Sequence, residues 1–181
     1  MDEQKWTRVS ARTVYEGRMT IREHSVQLPD STPGRYEVDE SVPYGAAVLI
    51  RDGGDILLSR QYRFPVDGWI HDLPGGAGED GEQPAEAARR EAVEELGIVV
   101  GDLTPLQTFY PNPGRSAWPV HLFFAEAAGT LAPKADDPFE QVRCLRIPIA
   151  DLASLVDRGE IVDPSLLIAW HTATTRGLLA P

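Results

Sequence analysis

Gly75-Gly76-Ala77-Gly78-Glu79-Asp80-Gly81-Glu82-Gln83-Pro84-Ala85-Glu86-Ala87-Ala88-Arg89-Arg90-Glu91-Ala92-Val93-Glu94-Glu95-Leu96-Gly97-Ile98 is a glycine-rich loop, a helix and a stop. Pro84 suits the first helical position, where its missing N–H costs nothing, and Gly97 suits the left-handed residue just past the end. The helix is therefore predicted from about Pro84 to Leu96. Ala85, Ala88, Ala92 and Leu96 recur at helical spacing as an inward stripe, and Glu91, Glu94 and Glu95 fall on a neighbouring face.

Like charges spaced this way repel by about 0.2–0.5 kcal/mol per pair on an exposed helix, and by more where water is partly excluded. Arg90 can pair with Glu86 and Glu94, four residues away on either side. Glu91 and Glu95 are themselves four apart, with no lysine or arginine four residues further on. Two readings follow. A hard divalent cation, Mg²⁺ or Mn²⁺, accepts carboxylates together with backbone carbonyl and water. The alternative is a solvated acidic helix face, which is what most charge runs are.

The spacing of the fixed residues adds to this. Gly76, then five residues, Glu82, then seven residues, and Arg90-Glu91-Ala92-Val93-Glu94-Glu95-Leu96-Gly97-Ile98 resembles the signature box of the Nudix hydrolases. Ala92 departs from it, standing where a larger aliphatic residue is usual, which bears on packing. The resemblance implies an α/β/α sandwich that carries the box as loop–helix–loop. It implies that Glu91 and Glu95 ligate metal, that Glu94 shares a further metal, and that the Gly75 carbonyl completes the site. It also implies that Arg90 and Glu82 form a pair orienting the helix against the loop.

Composition narrows the remaining classes. The 181 residues, 42% hydrophobic and 25% charged, suit one full core with a small appendage. A net charge of −11 argues against a nucleic-acid binder, leaving small anionic substrates if a metal mediates. The lone Cys144 excludes an internal disulfide, and no cysteine/histidine cluster suggests zinc. The acidic start lacks an apolar signal, and no run reaches the ~20 apolar residues of a membrane span, so a cytoplasmic protein is expected.

Along the chain, Trp6 to about Glu40 reads as strands, with Gly17 at a hairpin turn and a loop from Leu28 to Gly34. Residues 1–41 are expected to form an antiparallel β-subdomain, with 42–181 the Nudix-type domain. Ala46–Ile50, Ile56–Tyr62, Trp69–Leu73, Leu103–Tyr110, Val120–Ala125 and Val142–Ile147 are further strand candidates. A short helix ends at Gly159, and Asp163 caps another beginning at Pro164. The class is α/β, with a mixed sheet between helices. A three-stranded N-terminal sheet is marginal alone, so a homodimer through these strands is expected.

Three flanking features resemble the ADP-ribose pyrophosphatase branch of the family. They are Arg60-Gln61-Tyr62-Arg63 followed by Asp72-Leu73-Pro74-Gly75-Gly76; Pro113, fifteen residues past Ile98; and the acidic Asp136-Asp137-Pro138-Phe139-Glu140, with Glu140 eight residues before Pro148. Glu140 is the candidate base or water-orienting residue, with Glu94 next and Asp137 after it. Arg63 is the candidate diphosphate contact, against a surface arginine. Arg35, Pro113, Tyr44 and Trp118 are further substrate candidates, although an aromatic near a strand end is more often core. Asp72 and Gly75 replace the branch's usual glutamate and alanine, which leaves the particular sugar open. Alternatives are hydrolysis of another nucleotide, such as a GDP-sugar, a dinucleoside polyphosphate or a nucleoside triphosphate, or a nucleotide sensor without catalysis. A sensor of that kind would lack box carboxylates, and all are present here.

Overall fold

A computed structural model describes residues 4–132 and 141–180. They form two compact units, one comprising the chain up to Pro43 together with Tyr110–Pro119, the other Tyr44–Phe109 together with the chain from Val120 onward. The first unit thus includes a stretch, 110–119, that sequence reading left in the second domain.

In the first unit β1 (Thr7–Glu16), β2 (Thr20–Gln27) and β3 (Pro33–Asp39) make an antiparallel sheet in that order. Tyr110–Pro119 joins it through backbone: Asp39 N–H donates to Arg115 O (2.7 Å) and Ala117 N–H donates to Asp39 O (3.1 Å). The Tyr36 hydroxyl adds a bond to Gly114 O at 2.7 Å. Beneath the sheet His24 is buried, its Nε2 2.9 Å from Glu40 Oε1. β1 is exposed along its whole length, including Val9, Val14 and Tyr15.

The second unit contains β4 (Gly45–Asp52), β5 (Asp55–Arg63), β6 (Gly68–Asp72), β7 (Gly75–Ala77), α1 (Pro84–Leu96), β8 (Ile98–Val100), β9 (Thr104–Phe109), β10 (Val120–Thr130), β11 (Val142–Pro148), α2 (Ile149–Asp157) and α3 (Pro164–Thr175). The sheet runs β11-β5-β4-β10-β8, with β6 on β5, β7 on β4 and β9 on β10. β4 and β10 pair in parallel, from Gly45–Val120 to Arg51–Glu126, and the other pairs are antiparallel. β4 reads as an unbroken apolar run because both its faces are covered. Ala46, Val48 and Ile50 pack with Leu57 and with Ala87, Ala88, Ala92 and Leu96 of α1. Alternate residues point the other way: Leu49 is fully buried, and Arg51 reaches Ala180 O just beyond α3 at 2.9 Å. Helices on both faces of a mixed sheet give the expected α/β/α sandwich. Among the described residues no helix is long and apolar enough to cross a membrane.

A split in this sheet positions the site. β4 and β5 pair only near their turn, from Ile50–Leu57 to Asp52–Asp55. Beyond that they separate, so β6 continues along β5 while β7 continues along β4. The segment joining β6 to β7 is thereby drawn into the middle of the sheet, against the start of β4. A Cβ on Gly75 would lie 2.5 Å from Ala46 O, so only glycine fits there.

α1 begins and ends where Pro84 and Gly97 indicate, Gly97 adopting φ 68° and donating to Val93 O at 2.9 Å. Two details differ from expectation. The buried stripe is Ala87, Ala88, Ala92 and Leu96, with Ala85 only partly buried, because the sheet covers a wider arc of the helix. Glu86 does not pair with Arg90, because its Oε2 accepts the N–H of Gln83 (2.9 Å) ahead of the first turn. The left-handed Gly97 predicts that Gly97→Ala destabilises the fold by about 1 kcal/mol. Urea unfolding checks this, and an unchanged midpoint would contradict it.

Candidate active site

The site is organised around one guanidinium. Arg90 leaves the middle of α1 and donates from Nε to Glu82 Oε1 (2.9 Å) and from Nη2 to Glu82 Oε2 (3.1 Å). Nη2 also reaches Ala77 O at 3.0 Å, and Nη1 reaches Glu91 Oε1 (2.8 Å) and Glu94 Oε2 (2.9 Å). The expected pairing of Arg90 with Glu82 is thus a fork against a carboxylate, locking helix to loop. Hydrogen bonding to Glu82 first, then to Glu94 and Glu91, pushes the guanidinium's pKa further up. The same bond holds the Glu82 carboxyl below its ordinary range.

The loop backbone presses on the helix carboxylates. A Cβ on Gly76 would lie 2.3 Å from Glu91 Oε1, and the N–H of Gly75 points to Glu95 Oε2 at 3.4 Å. The Glu91 side chain is only 13% exposed, whereas that of Glu94 is 38% exposed. Glu91 and Glu94 thus share Arg90, while Glu91 lies against Gly76 and Glu95 faces the Gly75 N–H. The donor set suits a hard divalent cation, since it is all oxygen and is held against main chain that leaves no room for a side chain. Among the described residues no three histidine, cysteine or acidic side chains already form a ligand cluster.

Tyr44 supports the loop from below. Its hydroxyl donates to Glu82 O at 2.6 Å, and a Cβ on Gly78 would fall within 2.0 Å of its ring. The ring also meets His121 edge-on, with centroids 5.7 Å apart. These contacts make Tyr44 a part of the glycine loop's foundation, the core role that sequence reading set beside base stacking.

Arg63, at the end of β5, is anchored to the strand leading into the loop. Its Nη2 donates to Asp72 Oδ2 at 2.5 Å, while Asp72 Oδ1 accepts the N–H of Leu73 at 2.9 Å. Burial first, and then the charge of nearby Asp72, push up to about 7 the carboxyl of Asp163, the N-cap of α3, whose Oδ1 accepts the Leu166 N–H at 2.7 Å. Sequence reading missed this cluster, having weighed Asp72 only as a departure from a motif and Asp163 only as a cap.

Arg35, Pro113 and Trp118 belong to the first unit. Arg35 lines a cleft of about 600 Å³ in the first unit with Met19, Ile21, Glu37 and Arg115, and its guanidinium is 3.7 Å from Glu23. Pro113 lines another of about 560 Å³ with Trp6, His24, Tyr36 and Tyr110. Trp118 is half-buried, its Nε1 enclosed and without a hydrogen-bond partner among the described residues. Glu140, like Asp136 and Asp137, lies outside the described residues.

With this geometry in hand, the comparisons agree. The NUDIX domain model matches residues 42–168. An ADP-ribose pyrophosphatase of Bacillus subtilis (strain 168) is 29% identical over 157 residues, 86% of this chain and 85% of that protein. A GDP-mannose pyrophosphatase of Enterobacter sp. (strain 638) is 31% identical over 147 residues, 75% of this chain and 76% of its own. In fold, the crystal structure of an ADP compounds hydrolase superposes with a TM-score of 0.76, covering 96% of this chain and 97% of that one at 23% identity. The mixed-sheet sandwich and its carboxylate helix are those of a hydrolase domain, and the chain belongs to the Nudix family. Within that family it is a pyrophosphohydrolase.

Arg90→Lys should lower stability by about 1–3 kcal/mol, because a point charge cannot replace the fork to Glu82 while also serving Glu91, Glu94 and Ala77 O. Thermal and urea unfolding measure this, and parent-like curves would mean that the guanidinium is not what holds loop to helix.

Proposed function

We propose that this protein hydrolyses the diphosphate of ADP-ribose or a related nucleoside diphosphate sugar, with Mg²⁺ or Mn²⁺, giving a nucleoside monophosphate and a sugar phosphate. The observation that carries the reading is the set of α1 carboxylates pressed against Gly75–Gly76 and held by Arg90. Cleaving a phosphoanhydride gathers charge on an already anionic centre, and divalent cations bound there would neutralise that charge and polarise the phosphoryl oxygens. Glu91, Glu95, Glu94 and the Gly75 carbonyl are the proposed holders.

The chain's own residues supply position. Arg90 and Glu82 keep the carboxylates at a fixed distance from the loop, so little reorganisation is needed when a cation arrives. Arg63, half-exposed beyond its bond to Asp72, offers its remaining N–H groups to the diphosphate. Arg35, Pro113 and Trp118 remain proposed contacts for the rest of the substrate. Glu140 is the proposed residue that readies the attacking water, with Glu94 as the next candidate. The likeness to a GDP-mannose pyrophosphatase makes GDP-mannose the second substrate to try.

Glu91→Gln and Glu95→Gln keep shape while each removes a charge. Each should lower kcat roughly a hundredfold or more with the fold retained. Steady-state assays on ADP-ribose and GDP-mannose at saturating Mg²⁺ measure this. Activity within a few-fold of the parent in both variants would remove the metal assignment.

We also propose a homodimer through the first unit, because β1 leaves Val9, Val14 and Tyr15 in water along a sheet that is marginal at this size. Light scattering at micromolar concentration should return twice the 19.9 kDa chain mass. A monomer mass would refute the dimer.

A further inference from the structure

Tyr44, the residue before β4, lies outside the acidic box, yet it holds the loop that leads into α1. Its carbonyl accepts the N–H of Gly78 at 3.0 Å, and its hydroxyl donates to Glu82 O at 2.6 Å. Between those bonds the ring takes the place of a side chain at Gly78, where a Cβ would overlap ring carbons. The residues that follow in β4 continue the same grip, Gly45, Ala46 and Ala47 standing in register with Ala77, Gly76 and Gly75. The start of β4 thus fixes the loop from Gly75 to Glu82.

The ring is itself held from β10. His121 meets it edge-on, at an interplanar angle of 83°, and His121 Nδ1 lies 3.0 Å from Thr108 Oγ1 on β9. An edge-on aromatic contact favours one ring orientation, so the hydroxyl is aimed as well as placed. All of these groups belong to the second unit. Phenylalanine would fill the same space, so the hydroxyl is the part of Tyr44 that packing does not call for.

The contacts lead from Tyr44 to Arg90. Glu82 grips the guanidinium at Nε and Nη2, while Nη1 is shared by Glu91 and Glu94. Arg90 is therefore the partner that gathers the helix carboxylates and also a competitor for their oxygens when a cation binds them. The fork from Glu82 draws the guanidinium toward the loop and limits its hold on Glu91 and Glu94. Once Glu82 loses its anchor, the guanidinium settles more fully on those carboxylates and competes harder with a cation.

We propose that Tyr44 is a positioning residue for the cation site: its hydroxyl and ring set where Glu82 holds Arg90, and through Arg90 how tightly the α1 carboxylates take a divalent cation. The proposal rests on the reading of Glu91, Glu94 and Glu95 as cation holders. Tyr44 then acts on cation affinity without touching the cation, in the way that groups behind a metal's ligands orient them.

The experiment titrates Mn²⁺ into parent, Tyr44→Phe, Gly78→Ala and Glu91→Gln without substrate, reading free Mn²⁺ by its electron paramagnetic resonance signal. Urea unfolding of the same proteins, free of cation, gives their stability and folded fraction. Phenylalanine keeps the ring and removes only the bond to Glu82 O, whereas alanine at 78 pushes the loop off the ring from the other side. Tyr44→Phe and Gly78→Ala should each raise the Kd for Mn²⁺ about tenfold, the low end of the range for groups that orient ligands. A residue that only packs would lower the urea midpoint and leave Kd alone. If folded Tyr44→Phe or folded Gly78→Ala binds Mn²⁺ within about twofold of the parent, Tyr44 does not position the site and the proposal falls, whatever the urea midpoint. If Glu91→Gln binds Mn²⁺ as the parent does, or the parent binds none, the reading of the α1 carboxylates fails and the proposal falls with it, an outcome that the parent and Glu91→Gln titrations report separately from Tyr44.

Discussion

The Arg90 guanidinium is the constraint on which the site depends. Glu82, Glu91 and Glu94 all reach it within 3.1 Å, and it binds Ala77 O as well. Carboxylates crowded against a loop that excludes water would repel, and each partly buried charge needs a partner to offset its lost hydration. Arg90 is that partner, and its planar fork fixes direction as well as charge. Because it sits on the same helix as Glu91 and Glu94 and grips Glu82 in the loop, any shift of helix against loop breaks several charged hydrogen bonds together.

The sheet supplies the second half of that arrangement. The parallel pairing of β4 with β10 buries β4 on both faces, and the parting of β4 from β5 admits β6 and β7 between them. The chain from Asp72 to Gly76 is held there by ladder hydrogen bonds on the β4 side and by α1 on the other. Gly75 is needed for steric reasons, since a side chain there would strike Ala46 O, and one at Gly76 would displace the Glu91 carboxylate. Rigid backbone on one side and a helix clamped by Arg90 on the other make the placement of these carboxylates a property of the fold.

Much of this was legible in the sequence, for local reasons. Pro84 and Gly97 mark the ends of α1 because their backbone chemistry acts within a residue or two, and Asp163 marks the start of α3 in the same way. The spacing of Gly76, Glu82, Arg90, Glu91, Glu94 and Glu95 identified the box because one helix and one short loop bring all of them together. What could not be read depends on pairing at a distance. β7 is three residues, two of them glycine, and looks like loop until β4 lies beside it. Tyr44 reads as a strand-end aromatic until its hydroxyl meets Glu82 O. Nothing local ties Asp72 to Asp163, and the grouping of 110–119 with the first unit follows from its hydrogen bonds to Asp39. Glu86 was assigned to Arg90 by its i,i+4 spacing, but the N–H of Gln83 at the helix start is the partner it takes.

The central claim is that the α1 carboxylates, held by Arg90 against Gly75–Gly76, carry out cation-dependent hydrolysis of a nucleoside diphosphate sugar. Phosphorus NMR of ADP-ribose incubated with the protein tests it most directly, with Mg²⁺ in one sample and a chelator in the other. The account predicts that the diphosphate resonances give way to two monophosphate resonances, from AMP and the sugar phosphate, only when Mg²⁺ is present. Persistence of the diphosphate with Mg²⁺, tried likewise on GDP-mannose, or equal cleavage in the chelated sample, would contradict it.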